Sequence, residues 1–193
     1  MRLKPDKASF LQLSQKSARV PVCGENTVSN LNPALLYHQL FQSSCNSFLF
    51  ESGGRAGSNV RYSIMGQANE RTLLARNNTA VISNNGHTRS MTGSPLICLK
   101  EMDIDSTESE VDYLPHFWGG WIGYLSYELG ANLERSIPSN RNDLHLPDLY
   151  FLQVERVIVF DHESETLKFI VAPKINENSS DHYDRCVSEV NRF

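Results

Sequence analysis

The chain has 193 residues, 40% hydrophobic and 21% charged, the balance of a soluble globular protein with length for one sizeable core, so residues 1–193 are read as a single domain. A formal net charge of -4, with no Lys or Arg between Glu101 and Glu134, excludes a basic stripe for nucleic acid. No run approaches the roughly 20 apolar residues of a membrane helix, and the opening MRLKPDKASF lacks a signal peptide's apolar stretch, so no membrane contact and a cytoplasmic location are expected.

Taken in chain order, ARVPVCG reads as a short strand. SNLNPALLYHQLFQSS follows as a helix, with Asn32 as N-cap and Pro33 at the first helical position. Leu36 and Leu40, with Tyr37 and Phe41, repeat at four-residue spacing and predict its buried face. SFLFE and VRYSIMG read as strands on either side of a glycine-rich loop. ERTLLARNNTAVISNNGHT predicts two strands joined at Asn77 and Asn78, with NNG as a further turn.

SPLICLKEM predicts a short helix capped by Ser94 and Pro95, running into an acidic loop. HFWGGWIGYLSYELG interleaves aromatic rings with glycines, as in a strand packed closely against another backbone. LYFLQVERVIVFDH and TLKFIVAP form a hairpin around DHESE. SSDHYDRCVSEVNRF is helical, with Tyr183, Val187 and Val190 inward and Ser180 or Asp181 as cap. It stops inside its own apolar pattern, which predicts a longer native polypeptide. Antiparallel connections dominate, so the fold class is α+β, a large antiparallel sheet or sandwich with flanking helices.

The glycine loop, ESGGRAGSNVRYSIMG, lacks the Lys and hydroxyl of a P-loop, and a strand rather than a helix follows it, so it does not cradle phosphate. If its flanking strands pair directly, Glu51 faces Arg61 and Leu49 faces Ser63, while Phe50 faces Tyr62 and Phe48 faces Ile64. An opposed Glu51 and Arg61 suit a zwitterion, an ammonium on the first and a carboxylate on the second. The alternative is a cross-strand salt bridge worth about 0.2–1 kcal/mol. Four cysteines without C-x-x-C spacing are read as buried thiols. DHE, DHYD and DLHLPD bring histidine near carboxylates, but without metal-ligand spacing they read as capping and turn residues, and no metal is expected. No nucleophile elbow or other catalytic residue is visible.

FLFESGGRAGSNVRYSIMG resembles the N-terminal region of the large subunits of the chorismate-using amidotransferase family, anthranilate synthase and aminodeoxychorismate synthase, where an L-L-E-S-like strand precedes R-Y-S-F-I-G. GGWIGYLSYELG and LPDLYFLQVERVIVFDH resemble that family's G-G-x-x-G-Y-x-x-Y, L-P-D and V-x-D-H elements, in the same order. The resemblance implies a tryptophan-type amino-acid pocket, with Glu51 and Ser52 in the L-E-S element and Arg61 and Tyr62 in the R-Y element. It also implies a missing C-terminal chorismate-binding domain that carries the catalytic residues and the magnesium, with no cofactor in this one. A glutamine amidotransferase domain or subunit is the implied ammonia source. GYLSYELGANLE and SNRNDLHLPD are similar to the aminodeoxychorismate branch, and the acidic residue of ESGG to the anthranilate branch. A stand-alone amino-acid-binding module is the reading from a different class.

Overall fold

The computed structural model describes residues 1–51, 61–101, 111–127, 129 and 146–193. They form two compact units, one built from Met1–Ala68, Asp105–Gly119 and Val154–Phe193, the other from Asn69–Ile104 and Gly120–Gln153. The fold is α+β, with an antiparallel sheet in each unit.

The first unit carries a six-stranded sheet. Its strands are β1 (Arg2–Lys4), β2 (Val22–Thr27), β3 (Ser47–Glu51), β4 (Tyr62–Gln67), β10 (Arg156–Asp161) and β11 (Thr166–Val171), in the spatial order β1-β2-β11-β10-β4-β3. Every neighbouring pair runs antiparallel. Because side chains alternate between faces, one face carries Val22, Met65, Ile158, Phe160, Phe169 and Val171, and this is the face on which the helices lie.

Three helices cover that face: α1 (Lys7–Ser14), α2 (Pro33–Phe41) and α4 (Ser179–Val190). Helix α2 starts as its sequence dictates, since the Asn32 side chain accepts from the Leu35 N–H and Pro33 needs no donor there. Leu36, Tyr37 and Phe41 pack on the core, but Leu40 is largely exposed, the apolar stripe being narrower than the spacing implied. Helix α1 was not expected; Asp6 caps it by accepting from the Ser9 N–H, and the fully buried Phe10 anchors it. Helix α4 is capped by Asn178 rather than Ser180 or Asp181, and it buries His182 and Cys186 beside Tyr183 and Val190. Cys23, Cys98 and Cys186 are buried thiols, whereas Cys45, on the turn after α2, is exposed.

His182 is fully buried, its ring stacked on Phe10 at 6.2 Å between centroids. Its Nδ1 lies 3.3 Å from Glu177 Oε1 and 3.2 Å from Arg185 Nη2, and its Nε2 has no hydrogen-bond partner among the described residues. Burial, then the charge of Arg185, depresses its pKa below 6.5, against a smaller opposing pull from Glu177 and the Pro173 carbonyl. The folded state therefore holds His182 neutral while the unfolded chain takes the proton first. Stability is full above the unfolded value and is lost as pH falls toward the folded one. Urea unfolding is expected to give a smaller free energy at about pH 5.5 than at about pH 7.5. His182→Phe, which can stack on Phe10 without titrating, should show a smaller fall.

The second unit holds a five-stranded sheet, β7-β6-β5-β9-β8. Its strands are β5 (Thr72–Arg76), β6 (Thr79–Asn84), β7 (His87–Thr92), β8 (Gly120–Leu125) and β9 (Leu149–Val154). The β5–β6 and β6–β7 turns fall at Asn77–Asn78 and Asn85–Gly86, with φ of 53° at Asn77, 48° at Asn85 and 79° at Gly86, the left-handed backbone that two-residue hairpins require. Helix α3 (Pro95–Glu101) follows Ser94 as expected, and Cys98 joins Leu73, Ala75, Ala80 and Leu149 in the core. The run LYFLQVERVIVFD, read as one strand, is two: it breaks at Glu155, with β9 in this sheet and β10 in the other. At the break Arg19 Nη1 bonds both Glu155 Oε1, at 3.0 Å, and the Ala172 carbonyl, at 2.9 Å. The β10–β11 hairpin itself is as expected, Arg156 opposite Val171 and Asp161 opposite Thr166.

Candidate functional site

β3 ends at Glu51, and the described chain resumes at Arg61, one residue before β4. Ser52 and the glycines of the loop lie outside the described residues. The strands pair with Glu51 opposite Ser63, Phe50 opposite Ile64 and Leu49 opposite Met65, so Glu51 does not face Arg61. The offset from the expected register is two residues, an even number, and each side chain keeps its face. The loop is too long to fix a register. The observed register sets Leu49 opposite Met65, and Leu49 packs against the core cluster to which Met65 belongs. The face bearing Leu49 and Ser63 is the helix-covered one; Phe50, on the other, is 54% exposed.

Arg61 meets the end of β10. Its Nη2 and Nε donate to Asp161 Oδ2 at 3.2 and 3.4 Å, and Nε lies 3.5 Å from Glu163 Oε2. The guanidinium lies over the Tyr62 ring, 4.9 Å from its centroid. Arg61's backbone is held too, its carbonyl accepting from the His162 N–H at 2.8 Å. In the register, Tyr62 stands opposite Asp161. Ser63 Oγ and His162 Nε2 are 2.7 Å apart, the donor set by the imidazole tautomer.

Asp161 is aimed by its own turn, Oδ1 accepting from the Glu163 N–H at 3.1 Å and leaving Oδ2 for Arg61. Burial pushes its carboxyl up, but the hydrogen bonds from Arg61 and the Glu163 N–H, with the charge of Arg61, outweigh this and hold its pKa below 3.8. The Asp161 hydrogen bond raises the pKa of Arg61 in turn. The Tyr62 hydroxyl is raised, first by burial and then by the Asp161 charge. Ser63 beside His162 has the partners of a nucleophile and base, but Ser63 is fully buried, so the pair ties strands rather than attacks a substrate.

Among the described residues no three histidine, cysteine or carboxylate side chains gather, and Asp143 and His145 of DLHLPD lie outside those residues. In DHE, Asp161 and Glu163 go to Arg61 and His162 to Ser63. Asp148 of LPD accepts from the Asn77 N–H at 2.6 Å, a turn cap. A small cavity of about 60 Å³ lined by Phe41, Phe169 and Phe193 lies toward the opposite end of the first sheet, away from Arg61. Asp161, His162 and Glu163 are the site residues that the sequence reading did not join to Arg61. Their signal was the D-H pair itself, which needs the β4–β10 pairing to acquire a partner.

No protein-family model matches the chain. Anthranilate synthase component 1 of Thermus thermophilus is 40% identical over 141 residues, 73% of this chain and 29% of that protein. Aminodeoxychorismate synthase component 1 of Bacillus subtilis is 30% identical over 158 residues, 81% of this chain and 32% of that protein. The chain belongs to the component I family of these synthases. It spans about a third of the length of these component I relatives. The crystal structure of anthranilate synthase component I from Streptococcus pneumoniae shares the fold, with a TM-score of 0.53 at 23% identity over 86% of this chain and 35% of that one. Of the stretches on which the two branches were compared, residues 52–54, 128, 130–134 and 139–145 lie outside the described residues. No helix among the described residues is long and apolar enough to cross a membrane.

Proposed function

We propose that the chain is the N-terminal structural and regulatory domain of a chorismate-using synthase, and that it binds an amino acid of the tryptophan type where β3 and β4 meet the glycine loop. The observation that carries the reading is the meeting of two separated stretches, Arg61–Ser63 and Phe160–His162, at the root of that loop. Glu51, Ser52, Arg61 and Tyr62 are its binding residues, Glu51 for the ammonium and Arg61 for the carboxylate. The protein performs no chemistry in this domain. A C-terminal chorismate-binding domain supplies the catalytic residues and holds magnesium, and a glutamine amidotransferase supplies ammonia, all in the cytoplasm.

The reaction of the whole enzyme is then amination of chorismate to 4-amino-4-deoxychorismate, on the route to p-aminobenzoate and folate, a reading supported by GYLSYELGANLE and SNRNDLHLPD. A second reading, the feedback-inhibited domain of anthranilate synthase, draws support from the Thermus thermophilus relative, whose identity is the higher of the two. Incubating the full-length enzyme with chorismate, magnesium and ammonia separates them. Aminodeoxychorismate as product supports the first and anthranilate the second; no turnover of chorismate overturns both.

The pocket has its own test. Calorimetry with L-tryptophan is expected to show binding that Arg61→Ala weakens by about tenfold to a hundredfold, the loss of a charge-assisted hydrogen bond, and that Arg61→Lys weakens less. Equal affinity in all three proteins removes Arg61 from the site.

A further inference from the structure

We propose that Asp161 is a positioning residue of this site, holding Arg61 so that a single edge of its guanidinium remains to recognise a carboxylate; this rests on the amino-acid-pocket reading. The guanidinium has five N–H donors in a fixed plane. The Nε–H and one N–H of Nη2 go to Asp161 Oδ2, and Glu163 lies against Nε as well. Nη1 meets no acceptor among the described residues. The guanidinium has the Asp161 oxygen at its edge and the Tyr62 ring beside it, while the His162 N–H holds the backbone carbonyl.

Asp161 is itself fixed. Its side chain is 5% exposed against 55% for Arg61, and its second oxygen is committed to the Glu163 N–H. The mobile partner is therefore aimed by the rigid one. Glu163 differs, its side chain being 76% exposed and touching Arg61 at 3.5 Å with no hydrogen bond to it. What Arg61 retains is the edge formed by Nη1 and the second N–H of Nη2, and it is this edge that meets the ligand carboxylate.

The test compares L-tryptophan with tryptamine, which lacks the carboxylate, by calorimetry on the wild type, Asp161→Asn and Glu163→Gln. Wild type should prefer tryptophan by about tenfold, and Asp161→Asn should lower that preference to about threefold or less while changing tryptamine affinity little. Glu163→Gln removes the same charge but no hydrogen bond and should shift the preference by less. An unchanged preference in Asp161→Asn, or equal shifts in the two variants, overturns the positioning role. The ligand-free readout is the Arg61 Nε–H resonance, which should be protected from solvent exchange in wild type and lose protection in Asp161→Asn. If neither ligand binds wild type, the pocket reading fails, and an Arg61 Nε–H exchanging as freely as in an unstructured peptide overturns Asp161's hold on Arg61 by itself.

Discussion

Phe10→Ala is expected to lower the stability of the first unit by about 3–5 kcal/mol, the range for truncating a fully buried aromatic ring. Phe10 has no exposed surface, and its ring packs against His182 at 6.2 Å and Tyr183 at 5.1 Å. Helix α1 is only eight residues long, below the length at which a helix holds itself in water. Phe10 is its one fully buried residue. The substitution thus removes both the ring's packing and the anchor that orders the helix. The Tyr183 hydroxyl, which donates to the Pro5 carbonyl just ahead of α1, loses a fixed acceptor with it. Urea unfolding followed by far-UV circular dichroism measures the loss. Phe10→Leu, which keeps most of the volume, should cost about 1–1.5 kcal/mol. A cost below about 1 kcal/mol for the alanine variant contradicts the anchoring role.

Gly123→Ala should be nearly as damaging in the second unit. A Cβ at Gly123 overlaps the Tyr150 carbonyl and comes within 2.8 Å of the Phe151 Cα, both of them backbone atoms of β9. Flexible side chains give way cheaply; a paired strand does not. Either β8 moves off β9 or β9 bends, at a cost of about 1–3 kcal/mol or more for such overpacking. Gly120, by contrast, has open space around it and a φ of 121°, so its requirement is conformational. Hydrogen exchange of the β9 amides Tyr150–Leu152 reads the effect locally, with faster exchange in the variant expected. Unchanged exchange and an unchanged midpoint would show that the two backbones are not in close contact.

The parts of the fold that were legible in sequence are those with a local cause. Asn32 and Pro33 announce a helix start because the cap and the missing donor act within one turn. Asn77 and Asn85–Gly86 announce hairpins because few residues tolerate positive φ. Helix α1 escaped notice because eight residues with one buried aromatic carry little periodicity. The break at Glu155 escaped because the run on either side stays β-rich. At that break Glu155 is bound by Arg19, a residue far away in sequence. The site divides in the same way. Arg61–Tyr62 and Asp161–His162 were each visible as short motifs, but 100 residues separate Arg61 from Asp161, and only the sheet order makes them neighbours.

That sheet order bears on how the molecule is made. The inner strand β2 is complete at Thr27 and has β1 on one edge, yet its other neighbour β11 starts at Thr166, so in the nascent chain that second edge faces no partner until β11 has been made. The β5–β6–β7 meander needs only adjacent hairpins and can close while synthesis continues. Newly made protein therefore passes through a stage with one sheet largely formed and the other waiting on its late strands, and it is there that chaperones would find apolar surface to hold.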